Sequence, residues 1–250
     1  MDLQSVNLRA VIFDVYGTLL EVGPSPADAA ARWEKLWRDA LQSPPRLSLE
    51  QFSAACDAVI VREHLTAQAR GIEHPEVYWP DVVREALPET GRLPAAARDD
   101  FLFAQSQLWH TVRLMPAVGE TLRTLQAASV LIGIASNAQP YTIRELRVAL
   151  AESGLAMNLF EPALCFWSFE HGFSKPDPHV FRLLSARLAA RGITPGETLM
   201  VGDRLDNDLE PARACGWQTW LLGKSLSGSG AGHWQQLRQW LETGVLCEPE

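Results

Sequence analysis

The sequence predicts an α/β protein: a doubly wound parallel sheet with an all-helical insertion after its first strand. Three observations carry this. Short apolar runs bounded by turn residues recur at 11–15, 130–135, 163–169, 198–201 and 218–222, the pattern of strands buried on both faces. Stretches with helical spacing separate the later ones, at 118–128, 140–151, 178–190 and 206–215, which is the β-α-β alternation of a parallel sheet. Between 24 and 114 the alternation stops, and 27–41, 49–70, 76–87 and 94–109 all read as helices with no strand among them.

A crossover between parallel strands needs about a dozen residues, so the long helical block is read as a unit of its own. The expected division is a core of 1–22 and 113–250 with a helical cap of 23–112. A chain of 250 residues has ample material for one α/β core carrying such an insertion.

Composition excludes several classes of function. With 47% hydrophobic and 21% charged residues, and no apolar stretch near the ~18 residues of a membrane helix, a soluble globular protein is expected. The formal net charge is -8 and no Lys/Arg run appears, which argues against a nucleic-acid surface, where cations must cluster. Cys56, Cys165, Cys215 and Cys247 lie far apart with no C-x-x-C pair, and no basic-then-apolar secretory signal opens the sequence. Reduced thiols in the cytoplasm are the expectation. No internal repeat is found, and 225–232 reads as a Gly/Ser linker before a final helix.

Ligands of open α/β sheets bind outside the carboxyl ends of the strands. Four of those ends carry polar residues: Asp14, Tyr16, Gly17 and Thr18 after the first; Ser136 and Asn137 after the second; Lys175 beyond the third; and Gly202-Asp203-Arg204-Leu205-Asp206-Asn207-Asp208 after the fourth. A carboxylate at a strand end can act as a nucleophile and split one displacement into two easier steps. Gly17 permits a tight turn, and Thr18 is expected to orient Asp14. Ser136 and Lys175 suit a transferring phosphoryl group, by hydrogen bond and by charge. Asp203 is the informative partner. Two carboxylates beside an anionic substrate repel unless a cation lies among them, and hard oxygen ligands suit Mg²⁺. Asp208 is expected to complete or steady that shell.

Taken singly, each residue has a plainer explanation. An Asp after a strand commonly caps a turn or helix, Ser136-Asn137 would start a helix, and Lys175-Pro176 would be a solvated loop. The ordered set at four strand ends, beside a helical insertion, is harder to obtain by accident.

In these four motifs the chain resembles the haloacid dehalogenase superfamily with a cap between the first and second motifs. The resemblance spans nearly the whole sequence and implies a Rossmann-like core, Asp14 as nucleophile and a covalent aspartyl intermediate. It also implies Mg²⁺ held by Asp14, Asp203 and the backbone carbonyl of Tyr16, as in the phosphatase members.

Two features pull apart. The run Asp14-Val15-Tyr16-Gly17-Thr18 is similar to the first motif of the 2-haloacid dehalogenases, which need neither an acid for the leaving halide nor a metal. Dehalogenases carry Ser and Asn where this chain has Gly202, Asp203 and Arg204, and a tyrosine where it has Phe181. Their halide-binding arginine has only Arg38 and Arg46 as candidate counterparts. Phosphatases use an aspartate at the position of Tyr16 as acid/base, a contribution of roughly 10²–10⁴-fold, and a tyrosine is a poor base at neutral pH.

The expectation is a Mg²⁺-dependent phosphatase-type hydrolase of weak turnover, acting on a small phosphorylated metabolite. The alternatives are a metal-independent 2-haloacid dehalogenase and a catalytically weak ligand-binding descendant of the fold. In the insertion, Trp33, Trp37, Tyr78, Trp79 and Trp109 are assigned chiefly to packing, and His64, His74, His110 and His171 are assigned no role.

Overall fold

In the computed structural model, which describes residues 8–223 and 230–244, the first strand shows why the central sheet is covered on both faces. Along β1 (Ala10–Phe13), Val11 and Phe13 enter one apolar layer and Ala10 and Ile12 the other, the two-residue alternation of a strand. Next come β2 (Leu20–Gly23) and four helices: α1 (Ala29–Leu41), α2 (Leu49–Gln68), α3 (Trp79–Ala86) and α4 (Ala95–Ser106). The chain returns through β3 (Thr111–Leu114) and α5 (Val118–Ala127) to β4 (Leu131–Ser136), α6 (Pro140–Glu152) and β5 (Cys165–Trp167). After α7 (Pro178–Ala189) and β6 (Thr198–Gly202) comes a π-helical turn at Leu205–Leu209, then α8 (Glu210–Ala214), β7 (Gln218–Leu222), β8 (Ala231–Gly232) and α9 (Trp234–Gly244).

Six strands form one sheet in the order β5-β4-β1-β6-β7-β8, every pair parallel. β1 is central, with Phe13 opposite Ile134 on one side and Val201 on the other, so its carboxyl end is flanked by two strand ends. One face is covered by Leu122 and Leu125 of α5, Leu146 and Leu150 of α6, and Leu237 and Leu241 of α9. The other is covered by Val180, Phe181, Leu184 and Leu188 of α7.

The inserted helices have a core of their own, in which Trp33 stacks on Phe52 at 4.8 Å and meets Trp37 edge-on at 5.4 Å. They rest on the sheet domain through the loop before α3, where Glu76 N donates to Gly172 O and Ser174 N donates to His74 O.

Three expectations need correction. The block between 24 and 114 is not strand-free, because β3 pairs antiparallel with β2, Leu20 opposite Leu114. Each strand is four residues long and half exposed, too short and too polar to stand out alone. The helix expected at 206–215 opens as a π turn, whose wider coil lets the Asp208 side chain return to its own start, where Arg204 N donates to Asp208 Oδ2 at 3.1 Å. The strand expected at 163–169 is confined to Cys165–Trp167 between 3₁₀ turns. Of the proposed linker, 225–229 lies outside the described residues, as does Cys247, while Ala231–Gly232 forms the edge strand β8. The other three cysteines are free thiols. Among the described residues no helix is long and apolar enough to cross a membrane.

Candidate active site

At the end of β1 the Asp14 N–H donates to Val201 O of β6 at 3.0 Å, and the chain then turns back sharply, with Gly17 N donating to Leu20 O at 2.8 Å. Gly17 has φ +76°, and a Cβ at this position would lie 2.2 Å from an Asp203 oxygen. Only glycine both takes this backbone conformation readily and lets Asp203 approach. Gly202 serves Asp208 in the same way, since a Cβ there would lie 2.4 Å from Asp208 Oδ2.

These two close approaches, with β1 and β6 paired, gather Asp14, Asp203 and Asp208. One carboxylate oxygen from each lies within 4.8 Å of the others. Lys175 reaches in from the loop after β5, 2% exposed, and its Nζ donates to Asp14 Oδ1 at 2.7 Å and to Asp208 Oδ1 at 2.5 Å. Two of the three carboxylates thus share one ammonium, and Asp203 has no bond to it. Burial raises the Asp14 pKa; Lys175 opposes this, and the Asp208 and Asp203 charges add to it, so that the group reaches about 6. Partial loss of solvent around its carboxyl and the Asp208 charge raise Asp203 as well. Burial would lower Lys175, but the charges and hydrogen bonds of Asp14 and Asp208 outweigh it and raise it instead. Asp203 is exposed and borders a cavity of about 380 Å³ walled by Met115, Pro116, Leu222 and Trp234. An excess of negative charge on hard oxygens, open on one side, fits a divalent cation that keeps some of its water.

Two hydroxyls at the same strand ends are buried without a hydrogen-bond partner, Thr18 Oγ1 and Ser136 Oγ. Buried donors left unmade are costly, and a bound oxyanion would satisfy them. For Thr18 this is a correction, because its hydroxyl does not bond Asp14; Lys175 does. Asn137 stands one step back, gripping the main chain of Lys175.

The Tyr16 phenol is turned away from the role of proton donor. It donates to Glu145 Oε2 at 2.5 Å, with Thr142 Oγ1 3.0 Å away, both on α6. Burial and the Glu145 charge push its pKa far up. Phe181 is buried against Trp217. Arg38 and Arg46 are exposed and paired with Glu34 and Glu89, so neither is held ready for a halide.

Sequence reasoning missed Glu145 and left His110 without a role, yet His110 Nε2 lies 3.0 Å from Glu145 Oε1. The signal was present: Glu145 shares one buried face of α6 with Thr142, Leu146 and Ala149, where an unpaired carboxylate would not be tolerated.

The family model for haloacid dehalogenase-like hydrolases matches residues 8–216. Phosphoserine phosphatase of Thermus thermophilus is 33% identical over 137 residues, 54% of this chain and 50% of that protein. The chain therefore spans about half the length of this curated relative. Among solved structures, a 2-haloacid dehalogenase from Pseudomonas syringae pv. Tomato DC3000 aligns with a TM-score of 0.58 at 20% identity, over 94% of this chain and 98% of that one. A phosphatase of the same superfamily from Thermococcus onnurineus aligns with a TM-score of 0.53 at 20% identity, over 96% and 100%. At such identities the likeness is one of fold.

Proposed function

The chain belongs to the haloacid dehalogenase-like hydrolases, and from that membership we propose that it is a Mg²⁺-dependent phosphoryl hydrolase acting on a small phosphorylated metabolite. One observation carries this reading: oxygens of three carboxylates converge within 4.8 Å of one another, only Asp14 and Asp208 among them are bonded to the Lys175 ammonium, and the Thr18 and Ser136 hydroxyls are buried without a partner. Such a set is balanced by a cation on the carboxylates and an oxyanion on the hydroxyls. Asp14, Asp203 and the Tyr16 carbonyl, with Asp208 steadying the set, would hold Mg²⁺, which would supply the positive charge that offsets the phosphoryl group.

The protein's own residues divide the remaining work. Asp14 attacks phosphorus as the bond from phosphorus to the substrate's leaving oxygen breaks, and the resulting aspartyl phosphate, a mixed anhydride, is hydrolysed by water to free Asp14 and inorganic phosphate. Lys175 holds the attacking carboxylate and balances its charge. Ser136 and Thr18 donate to phosphoryl oxygens, and Asn137 keeps the Lys175 backbone in place. Helices α1–α4 act as the cap that covers the substrate and excludes water. With its phenol given to Glu145, Tyr16 leaves the leaving group without an acid. Substrates whose leaving group departs unprotonated, such as acyl phosphates, are therefore favoured over alkyl phosphates. The free thiols agree with a reducing, cytoplasmic setting.

Tyr16 also favours a second reading, metal-free dehalogenation. Against it, Asp203 would then add an uncompensated carboxylate beside Asp14. Para-nitrophenyl phosphate and L-2-chloropropionate, offered side by side with Mg²⁺ or EDTA, separate the two. Phosphate release that needs Mg²⁺ supports the proposal, and chloride release in EDTA overturns it.

A further inference from the structure

Glu145 is a fully enclosed carboxylate, its side chain 0% exposed, and it collects three partners from two distant parts of the chain. The Tyr16 hydroxyl donates to Oε2 at 2.5 Å, Gln107 Nε2 donates to Oε1 at 2.6 Å, and His110 Nε2 stands 3.0 Å from that same oxygen. The His110 ring also meets Tyr16 edge-on, centroids 5.7 Å apart. A buried carboxylate is costly unless its oxygens are bonded, and here both are. Gln107 closes α4 and His110 immediately precedes β3, so both belong to the exit of the inserted helices, while Tyr16 lies two residues from Asp14.

We propose that Glu145 is a positioning residue that ties the seating of the inserted helices to the first-strand turn, and through it to the cation affinity of the carboxylate cluster. The inference rests on the metal-site reading above, in which the Tyr16 carbonyl is a ligand. The tie is short. Anchoring the phenol limits the movement of the Tyr16 main chain, and the anchor is itself held by Gln107 and His110. Groups that orient a ligand from behind typically change metal affinity by about 10–100-fold when removed.

The insertion has a second grip on the sheet domain that bonds neither Tyr16 nor Glu145 directly, and it provides the control. Glu76 accepts from Ser168 Oγ at 2.7 Å and from Gln139 Nε2 at 3.0 Å.

The test is a calorimetric titration of Mg²⁺ into metal-free protein without substrate, with melting temperatures recorded in parallel. Wild type is compared with the double variant Gln107→Leu/His110→Phe, which keeps an aromatic ring against Tyr16, and with Glu76→Gln. If the double variant is too unstable to purify, Gln107→Ala, which removes one of the two holds on the shared oxygen, is expected to weaken Mg²⁺ binding in the same direction by a smaller factor, and unchanged affinity there overturns the proposal too. The double variant is expected to bind Mg²⁺ about tenfold more weakly, with Glu76→Gln within about twofold of wild type. Unchanged affinity with a lowered melting temperature makes Glu145 a structural group only and overturns the proposal. So does an equal loss in Glu76→Gln, which would show a general effect of seating. Wild type that binds no Mg²⁺ overturns instead the metal-site reading on which the proposal stands.

Discussion

Asn137 and Lys175 hold each other by a reciprocal pair of hydrogen bonds, Lys175 N donating to Asn137 Oδ1 at 2.7 Å and Asn137 Nδ2 donating to Lys175 O at 2.9 Å. The residue after Ser136 on β4 thereby sets the main chain from which Lys175 reaches Asp14. Asn137→Ala removes both bonds and frees that backbone. Phosphatase turnover is expected to fall by about 10–100-fold, the scale on which misplacement of a catalytic group is felt. Asn137→Asp keeps the acceptor but loses the donor, and is expected to fall between. Steady-state kinetics with para-nitrophenyl phosphate checks the order, and an unaffected Asn137→Ala would show that Lys175 is positioned by other means.

Burial and the neighbouring carboxylates hold Asp14 at about 6 against an ordinary 3.8. The folded protein therefore takes up a proton at Asp14 at a pH where the unfolded chain does not. Stability linked to this group is fully present below the unfolded value and is lost as pH rises through about 6. Metal-free Asp14→Asn, which carries no charge here, is expected to melt a few degrees above wild type at neutral pH. The gap should narrow as the pH falls through about 6 toward 4. Differential scanning calorimetry checks this, and a gap independent of pH contradicts it.

With its hydrogen held by Glu145, the Tyr16 hydroxyl takes no part in proton transfer. At saturating Mg²⁺, Tyr16→Phe is expected to retain kcat toward para-nitrophenyl phosphate within about tenfold, where loss of a working acid would cost roughly 10²–10⁴-fold. A larger loss would put the phenol in the reaction.

The space beside Gly202 is filled by Asp208, whose Oδ2 would lie 2.4 Å from an added Cβ. Gly202→Ala must push that carboxylate off Lys175 or shift the π turn. A loss of about 1–3 kcal/mol of stability is expected, together with loss of turnover. Chemical denaturation measures the first, and a variant of wild-type stability would contradict the packing described.

Much of this site was legible because the sheet announces itself. Apolar runs ended by Gly, Ser or Asp mark strand ends, and a parallel sheet brings its strand ends together, so Asp14, Ser136, Lys175 and Asp203 were found from order alone. The β2–β3 ribbon was not, since its two four-residue strands are separated by the whole insertion and neither is buried enough to show. The direction of the Tyr16 side chain was equally hidden. Sequence places the phenol two residues from Asp14, but the turn at Gly17 decides that it faces α6. Glu145 followed an arginine on a helix that reads as ordinary amphipathic surface, and only its position on the Thr142–Leu146–Ala149 face hinted that it was buried.

The most direct test of the account is phosphate release from acetyl phosphate, whose leaving group needs no proton, followed as Mg²⁺ is added to metal-free protein. Wild type is predicted to be stimulated by about 100-fold or more, with the rate abolished by EDTA and absent in Asp14→Asn and Asp203→Asn. Equal rates with Mg²⁺ and with EDTA, or full activity in Asp203→Asn, would contradict it.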